Sequence, residues 1–541
     1  MNVALIFPAQ WDPRQPPYSV PALAGALKSK GFKIKVWDLN LELYNKLLQI
    51  DKENVEAAEL LKLYMNPNTL KNPMQFYEIS QSIENILYYN YDSSEYHQLY
   101  WDYLDSGLSA NSRKDWQTSI DIPSIFPFYK ILKEKLKEIE KWKPDIIGIS
   151  AISDTQILPT LAIASSLRSK LPIAKIILGG HAFEGRKSLL KEVPWLFQTI
   201  DGICASDGEP AIISLASGCK INETPNIFWY NGNIVKEPAY YSRCELNSIG
   251  PPDFSSVPLD DYLSPEIVIP LKTAYGCPWN QCLFCNHPKV LVNKKESYQI
   301  KSIDCIIDEL KHHIQNGYKK FFFIDDAIPF ERFKNMSIAI NKMDEKVSWI
   351  CYARLEDKHN FDTFKIAHTA GCRKIFFGLE TASERLLKLY QKGIDPQTAR
   401  KVIKDASFAG IAIHLFLIGA FPGETKNERE LTYEFLREIL KFINPFGFTY
   451  DVFPLSCSLG SELFDDPVRF KAIGINKPKG NDMAMRFCLR TLGHNKNNFN
   501  SFKNHIDLIV EENLKYQMGI RHFDISQDSN HLLLLEANND H

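Results

Sequence analysis

Apolar and polar positions fall into two long series along the chain, each alternating strand and helix. Residues 2–8 (NVALIFP) are a short apolar run, 21–30 (PALAGALKSK) carry apolar residues at helical spacing, and Gly31 separates them from KIKVWDL at 33–39. That strand–helix–strand order predicts a parallel sheet. Residues 41–140, rich in Tyr, Leu, Asn and charge, interrupt it and read as a mainly helical insertion. The alternation resumes with PDIIGISA (144–151), a helix over 157–170, AKIILGGH (174–181), and DGICASDGEPAI (201–212), which reads as short strand, turn and helix start. Near-continuous apolar strands suit a sheet covered on both faces, so residues 1–220 are expected to form a doubly wound, Rossmann-like α/β domain.

Residues 221–265, with PPDFSS at 251–256, have the composition of an interdomain linker. A second series follows, with strands expected at 267–276, 319–326, 348–354, 373–381, 412–423 and 446–455, and amphipathic helices between them, as at 303–316 and 426–442. Six βα units in order predict a partial (β/α)6 barrel of the TIM type over 266–455. Residues 456–541 include the Asn-rich HNKNNFNSFKNH (494–505), show no clear period, and are read as a C-terminal extension on the substrate side.

Composition narrows the function classes. Of 541 residues, 63 are Lys or Arg and 65 are Asp or Glu, a net charge of -2, which excludes a globally basic nucleic-acid binder. No basic arm suggests an RNA substrate either. Hydrophobic residues at 45% and charged residues at 24% describe a folded chain, not a disordered one. No apolar run reaches the roughly 18 residues of a membrane span. The start, MNVALIFPAQ, lacks the basic head and long apolar core of a signal peptide. A cytoplasmic, reducing location is therefore expected, where the 11 cysteines are not a disulfide framework.

Three of those cysteines stand apart. In TAYGCPWNQCLFCNH (273–287), Cys277, Cys282 and Cys285 follow a strand with spacing C-x4-C-x2-C, on the first βα loop of the barrel series. That is the face where barrel active sites form. Three thiolates on one loop can converge on an iron–sulfur cluster and leave one iron open. A structural zinc site is the competing reading, with His287 as fourth ligand.

The cysteine loop resembles that of the radical S-adenosylmethionine (SAM) superfamily, whose usual spacing is C-x3-C-x2-C, one residue shorter in the first gap. FFFIDD (321–326), CYARLE (351–356), FFGLETAS (376–383) and IGAFPGET (418–425) resemble that family's later strand ends, in order, over about 265–460. The resemblance implies that Cys277, Cys282 and Cys285 hold a [4Fe-4S] cluster and that SAM chelates its open iron. It implies further that Phe284 lies near the adenine, that Glu380 and Ser383 contact the ribose or methionine part, and that Arg354 pairs with the SAM carboxylate. Without the resemblance, Glu380 and Arg354 read as a barrel ion pair, and Asp325 and Asp326 as loop charge or a helix N-cap.

The N-terminal series resembles the cobalamin-binding domain of one radical SAM class, through VPALAGALKSKGFKIKVWDL (20–39), IIGISA (146–151), IILGGHAF (176–183) and DGICASDGEPAI (201–212). Ser150, Gly179, Gly180, Gly208 and Glu209 are the corrinoid contacts this implies. Ligands of open α/β sheets bind at the carboxyl ends of strands, and glycines there let a backbone approach closely; two plain turn glycines are the alternative. The cobalt-ligating motif D-x-H-x-x-G is absent: Asp357-x-His359 begins it, but Asp362 stands where Gly is needed. The implied cobalamin is base-off with no His ligand, and His181 belongs to the strand-end loop. The resemblance as a whole implies a cobalamin-dependent radical SAM methyltransferase. Its substrate would be an unactivated carbon of a natural product or peptide, and an external donor such as flavodoxin or ferredoxin would supply electrons. A cyclase or rearrangement enzyme without methyl transfer, and a non-enzymatic zinc-stabilised corrinoid or nucleotide-binding module, are the alternatives.

Overall fold

A computed structural model describes residues 1–49, 55–89, 107–126, 129–285, 298–491, 496–514 and 528–538. The described chain divides into two compact units. One comprises Met1–Met65, Ile79–Ile267 and Lys477–Met485; the other comprises Asn66–Glu78, Val268–Asn476 and Arg486–His541.

The first unit is built on a seven-stranded sheet. Strands β1 (Asn2–Phe7), β2 (Lys33–Asp38), β3 (Ile146–Ser150), β4 (Lys175–Gly179), β5 (Gly202–Cys204), β6 (Ile227–Tyr230) and β7 (Val235–Lys236) lie in the order β2-β1-β3-β4-β5-β6-β7. Parallel pairing runs from β2 to β5. Val3, Leu5, Phe7, Val20, Leu27, Ile146 and Leu215 form a continuous core between this sheet and the helices Ser19–Ser29 and Gly208–Ala216. The expected linker contains structure of its own. β6 and β7 form an antiparallel hairpin that extends the sheet edge beyond β5. Its signature, IFWY followed by Asn231-Gly232-Asn233 and an apolar pair, is a hairpin pattern set among residues whose Pro and Ser content suggested coil. The insertion is helical where described, including Leu39–Gln49, Val55–Tyr64, Pro73–Tyr89, Arg113–Asp121 and Tyr129–Trp142.

The second unit holds β8 (Ile269–Leu271), β9 (Ala274–Tyr275), β10 (Gln299–Ile300), β11 (Lys320–Ile328), β12 (Ser348–Ala353), β13 (Cys372–Glu380), β14 (Ala412–Gly419) and β15 (Phe448–Pro454). Six of these are parallel in the order β15-β14-β13-β12-β11-β8, a (β/α)6 arrangement in which β8 and β15 are edges. The helices between them start where the sequence caps them. Ser302 caps Ile303–Gln315, Asp395 precedes Pro396 in Pro396–Phe408, and Thr425 with Glu428 forms a reciprocal capping box on Lys426–Ile439. Beyond β15, strands β16 (Ser456–Ser458), β17 (Gly474–Asn476) and β18 (Arg486–Arg490) pair antiparallel, and the helices Lys496–Asn513 and Asp528–Ala537 follow. Phe502, Ile506, Ile509 and Val510 bury the apolar stripe that the Asn-rich composition had hidden. No helix among the described residues is long and apolar enough to cross a membrane.

Candidate active site

The cysteine loop leaves the barrel just after β8, and its base is fixed from below. β9 and β10 pair antiparallel, so the chain departs and returns at one point. Asp325, buried in β11, accepts hydrogen bonds from the Thr273 amide at 2.8 Å, the Thr273 hydroxyl at 2.7 Å and the Ala274 amide at 2.6 Å. Arg332 donates to Thr273 Oγ1 at 3.1 Å and to the carbonyls of Thr273 and Lys301 at 2.7 Å each. Burial pushes the Asp325 carboxyl up from its ordinary range, and those donors with Arg332 oppose the shift. The loop-charge and N-cap readings of Asp325 are thus corrected: it anchors the strand that launches the cysteines.

The tip of the loop is held by the segment 390–393. Leu283 N donates to the Tyr390 carbonyl at 3.0 Å, Trp279 Nε1 donates to the Gln391 carbonyl at 2.8 Å, and Leu463 N donates to the Leu283 carbonyl at 3.0 Å. Cys285 N donates to the Cys282 carbonyl at 3.2 Å, a tight turn that keeps these two cysteines on one side. All three cysteines are free and half-buried. Burial raises the Cys282 thiol pKa, while the positive charges of Lys392 and Arg354 pull it down. Among the described residues no three His, Cys, Asp or Glu side chains are already gathered at ligating geometry. His287, the fourth ligand of the zinc reading, lies outside the described residues.

Charged groups from neighbouring strand ends flank the loop. Glu380 ends β13 in the left-handed region at φ +68, a strained backbone for a glutamate. Its Oε1 accepts from Lys392 Nζ at 2.7 Å. A Cβ on Gly378 would stand 2.6 Å from Glu380 Oε1 and 2.7 Å from Lys392 Nζ, so the glycine of FFGLE makes room for that pair. The guanidinium of Arg354 lies 4.6 Å over the Trp279 ring and donates to the Lys392 carbonyl at 2.6 Å. Glu380 pairs with Lys392, and the expected Glu380–Arg354 barrel ion pair is not formed. The Phe284 ring stands 6.2 Å from that of Tyr390. Ser383 departs from expectation. Its hydroxyl donates to Glu428 at 2.8 Å and accepts from Leu386 N, capping the helix Glu384–Leu389. It is a helix cap, not a ligand contact. Lys392, Trp279 and Arg332 escaped sequence reading, because their roles come from chain crossings that no local spacing encodes.

In the first unit, Ser150 and Gly179 are register partners at the carboxyl ends of β3 and β4. A Cβ on Gly179 would meet only Cys204, at an ordinary 3.5 Å. Gly180 has φ +97, and a Cβ there would stand 2.2 Å from the Ala151 carbonyl oxygen. The close approach at Gly180 is therefore to the protein's own backbone, which corrects the cofactor-approach reading. Gly208 and Glu209 open the helix after β5, with Glu209 buried at 6% exposure. His181 is half-exposed, with Nδ1 3.5 Å from Glu184 Oε2.

Residues 271–436 match the radical SAM superfamily. The second unit contains a radical SAM domain. An uncharacterized methyltransferase of Pyrococcus horikoshii is 27% identical to the chain over 314 residues, 56% of this chain and 66% of that protein. The hopanoid C-3 methylase of Methylococcus capsulatus is 24% identical over 328 residues, 57% of this chain and 59% of that protein. The chain thus spans somewhat less than two thirds of the length of these curated relatives. In fold, it is similar to the radical SAM methyltransferase TsrM of Kitasatospora setae, solved with cobalamin and a [4Fe-4S] cluster: TM-score 0.60 at 13% identity, covering 100% of this chain and 95% of that one. That likeness takes in the doubly wound unit as well as the radical SAM domain.

Proposed function

We propose that the chain is a cobalamin-dependent radical SAM methyltransferase acting on an unactivated carbon. The observation that carries this is the three-cysteine loop at the carboxyl end of the first barrel strand, flanked by the Glu380–Lys392 pair and Arg354. Three thiols with no nearby carboxylate ligand are the donor set of an iron–sulfur cluster. The small residues at the ends of β3 and β4 leave space for a corrinoid. When bound, the cluster and SAM supply one-electron cleavage chemistry, and cobalamin supplies methyl carriage.

The chain's own residues bind and orient. Cys277, Cys282 and Cys285 hold the cluster as thiolates, a form that the charges of Lys392 and Arg354 favour at Cys282. Lys392 fixes one oxygen of Glu380, and the other oxygen accepts from the amino or ribose groups of SAM. Arg354, braced on Trp279, offers its remaining donors to the SAM carboxylate. Phe284 supplies an apolar neighbour for the adenine. Ser150, Gly179, Gly208 and Glu209 contact the corrinoid, base-off and without a His ligand. A natural product or a peptide is the substrate class, and a flavodoxin or ferredoxin is the electron donor.

Turnover with SAM deuterated in its methyl group tests the reaction. Labelled product should appear together with S-adenosylhomocysteine and 5'-deoxyadenosine. Unlabelled product with 5'-deoxyadenosine alone would replace this reading with a cyclase or rearrangement enzyme.

A further inference from the structure

The inner face of the barrel sheet carries a row of aromatic rings that the cofactor contacts do not use. Phe322, Tyr352, Phe376, Phe416 and Phe453 come one each from β11 to β15. Tyr352 precedes Arg354 by two residues and Phe376 precedes Glu380 by four, so the row shares the face of those two charged groups. Neighbouring rings are near parallel. Phe322 and Phe376 are 5.7 Å apart at 27°, Tyr352 and Phe416 are 6.2 Å apart at 14°, and Phe416 and Phe453 are 6.5 Å apart at 28°. The row is graded: Phe376 is 1% exposed, Tyr352 and Phe416 are half-buried, and Phe453 is 50% exposed. A packed core layer would be covered throughout; this one opens at one end.

One acid stands on that open end. Asp451 lies opposite Phe416 in register, with its side chain 27% exposed. Its neighbour is His414, whose Nε2 is 3.5 Å away and makes no hydrogen bond. The other ring nitrogen, Nδ1, pairs with Thr449 Oγ1 at 2.8 Å. Burial lowers the His414 pKa to about 4, so the ring is neutral and does not compensate the carboxylate. Lys374, on the same face, lies 4.4 Å from the ring of Phe376. Among the described residues no group donates a hydrogen bond to Asp451.

The geometry points to a substrate-selecting wall for a protonated amine attached to a planar apolar ring system, with Asp451 taking the ammonium and Phe416 and Phe453 the ring. An ammonium gains from a carboxylate and from aromatic faces at once, and stacked faces suit a flat apolar partner. This assignment rests on the proposed reaction only in making the barrel interior the substrate chamber.

The test uses the purified full chain and two probes of one shape, tryptamine and 3-propylindole, titrated by saturation-transfer NMR. Tryptamine should bind about ten-fold more tightly. Asp451→Asn should bring the two probes level, and Phe416→Ala should weaken both several-fold. Equal binding of the two probes by the parent chain, no binding of tryptamine, or a preference that survives in Asp451→Asn would overturn the assignment. The parent-chain comparison needs no variant to fold. It needs no cofactor either, so its outcome is separate from that of methyl transfer.

Discussion

The carboxyl strand ends of the two units are built on opposite plans. In the barrel they are filled. Glu380 is held at φ +68 with its carboxylate on Lys392, Arg354 is stacked on Trp279, and Asp325 takes three hydrogen bonds beneath the cysteine loop. In the doubly wound unit they are empty: Ser150 and Gly179 end adjacent strands, and Gly180 turns the chain hard against Ala151. A site that must fix a small charged molecule and a cluster loop needs rigid, preorganised polar groups. A site that must accept a large flat ring needs absent side chains. The contrast implies that substitutions at the barrel rim act through lost interactions, whereas those at the sheet end act through lost room and backbone strain.

The largest effect is expected at the cysteines. Alanine at Cys277, Cys282 or Cys285 should each abolish iron and sulfide loading, whereas Cys219→Ala should not, as read by metal analysis after anaerobic reconstitution. A Cys282→Ala chain with full iron content would break the barrel side of the comparison. Next is Asp325→Ala. It strands the Thr273 and Ala274 amides in the interior and leaves Arg332 without its nearby acid, which should cost about 3–5 kcal/mol in urea unfolding. If Asp325→Ala unfolds with an unchanged midpoint, the cysteine loop has no buried anchor.

Gly180→Ala sharpens the other side. A methyl group 2.2 Å from the Ala151 carbonyl oxygen, on a backbone at φ +97, should cost about 1–3 kcal/mol even in corrinoid-free protein. Corrinoid loss with unchanged stability would return Gly180 to the list of cofactor contacts. The smallest change is Ser383→Ala, which removes a helix cap and a hydrogen bond to Glu428 and should cost about 1 kcal/mol. Its SAM affinity should match that of the parent chain, as read by equilibrium dialysis; a ten-fold loss would restore Ser383 as a SAM contact.

What the sequence made legible follows from what local pattern encodes. The parallel strands of both sheets and the cysteine loop were readable because each is a contiguous run: apolar residues for a strand covered on both faces, three cysteines within nine positions for a loop site. The hairpin at 227–236 was missed because prolines and serines around it outweighed two short apolar segments. Ser383 was misread because a serine in FFGLETAS looks alike whether it faces a ligand or caps the next helix. Lys392 and Arg332 were invisible, since each acts on chain remote in sequence: Lys392 on Glu380 and Arg332 on Thr273. Gly180 was legible as a special residue, but the atom it approaches was not.

The central claim is that one chain holds an iron–sulfur cluster in its barrel and a corrinoid in its doubly wound unit. Metal and corrinoid analysis of the full chain, purified without oxygen after expression with cobalamin supplied, measures both at once. About four iron atoms and about one corrinoid per chain are predicted. One zinc with no iron, or a full cluster with no corrinoid, would contradict it.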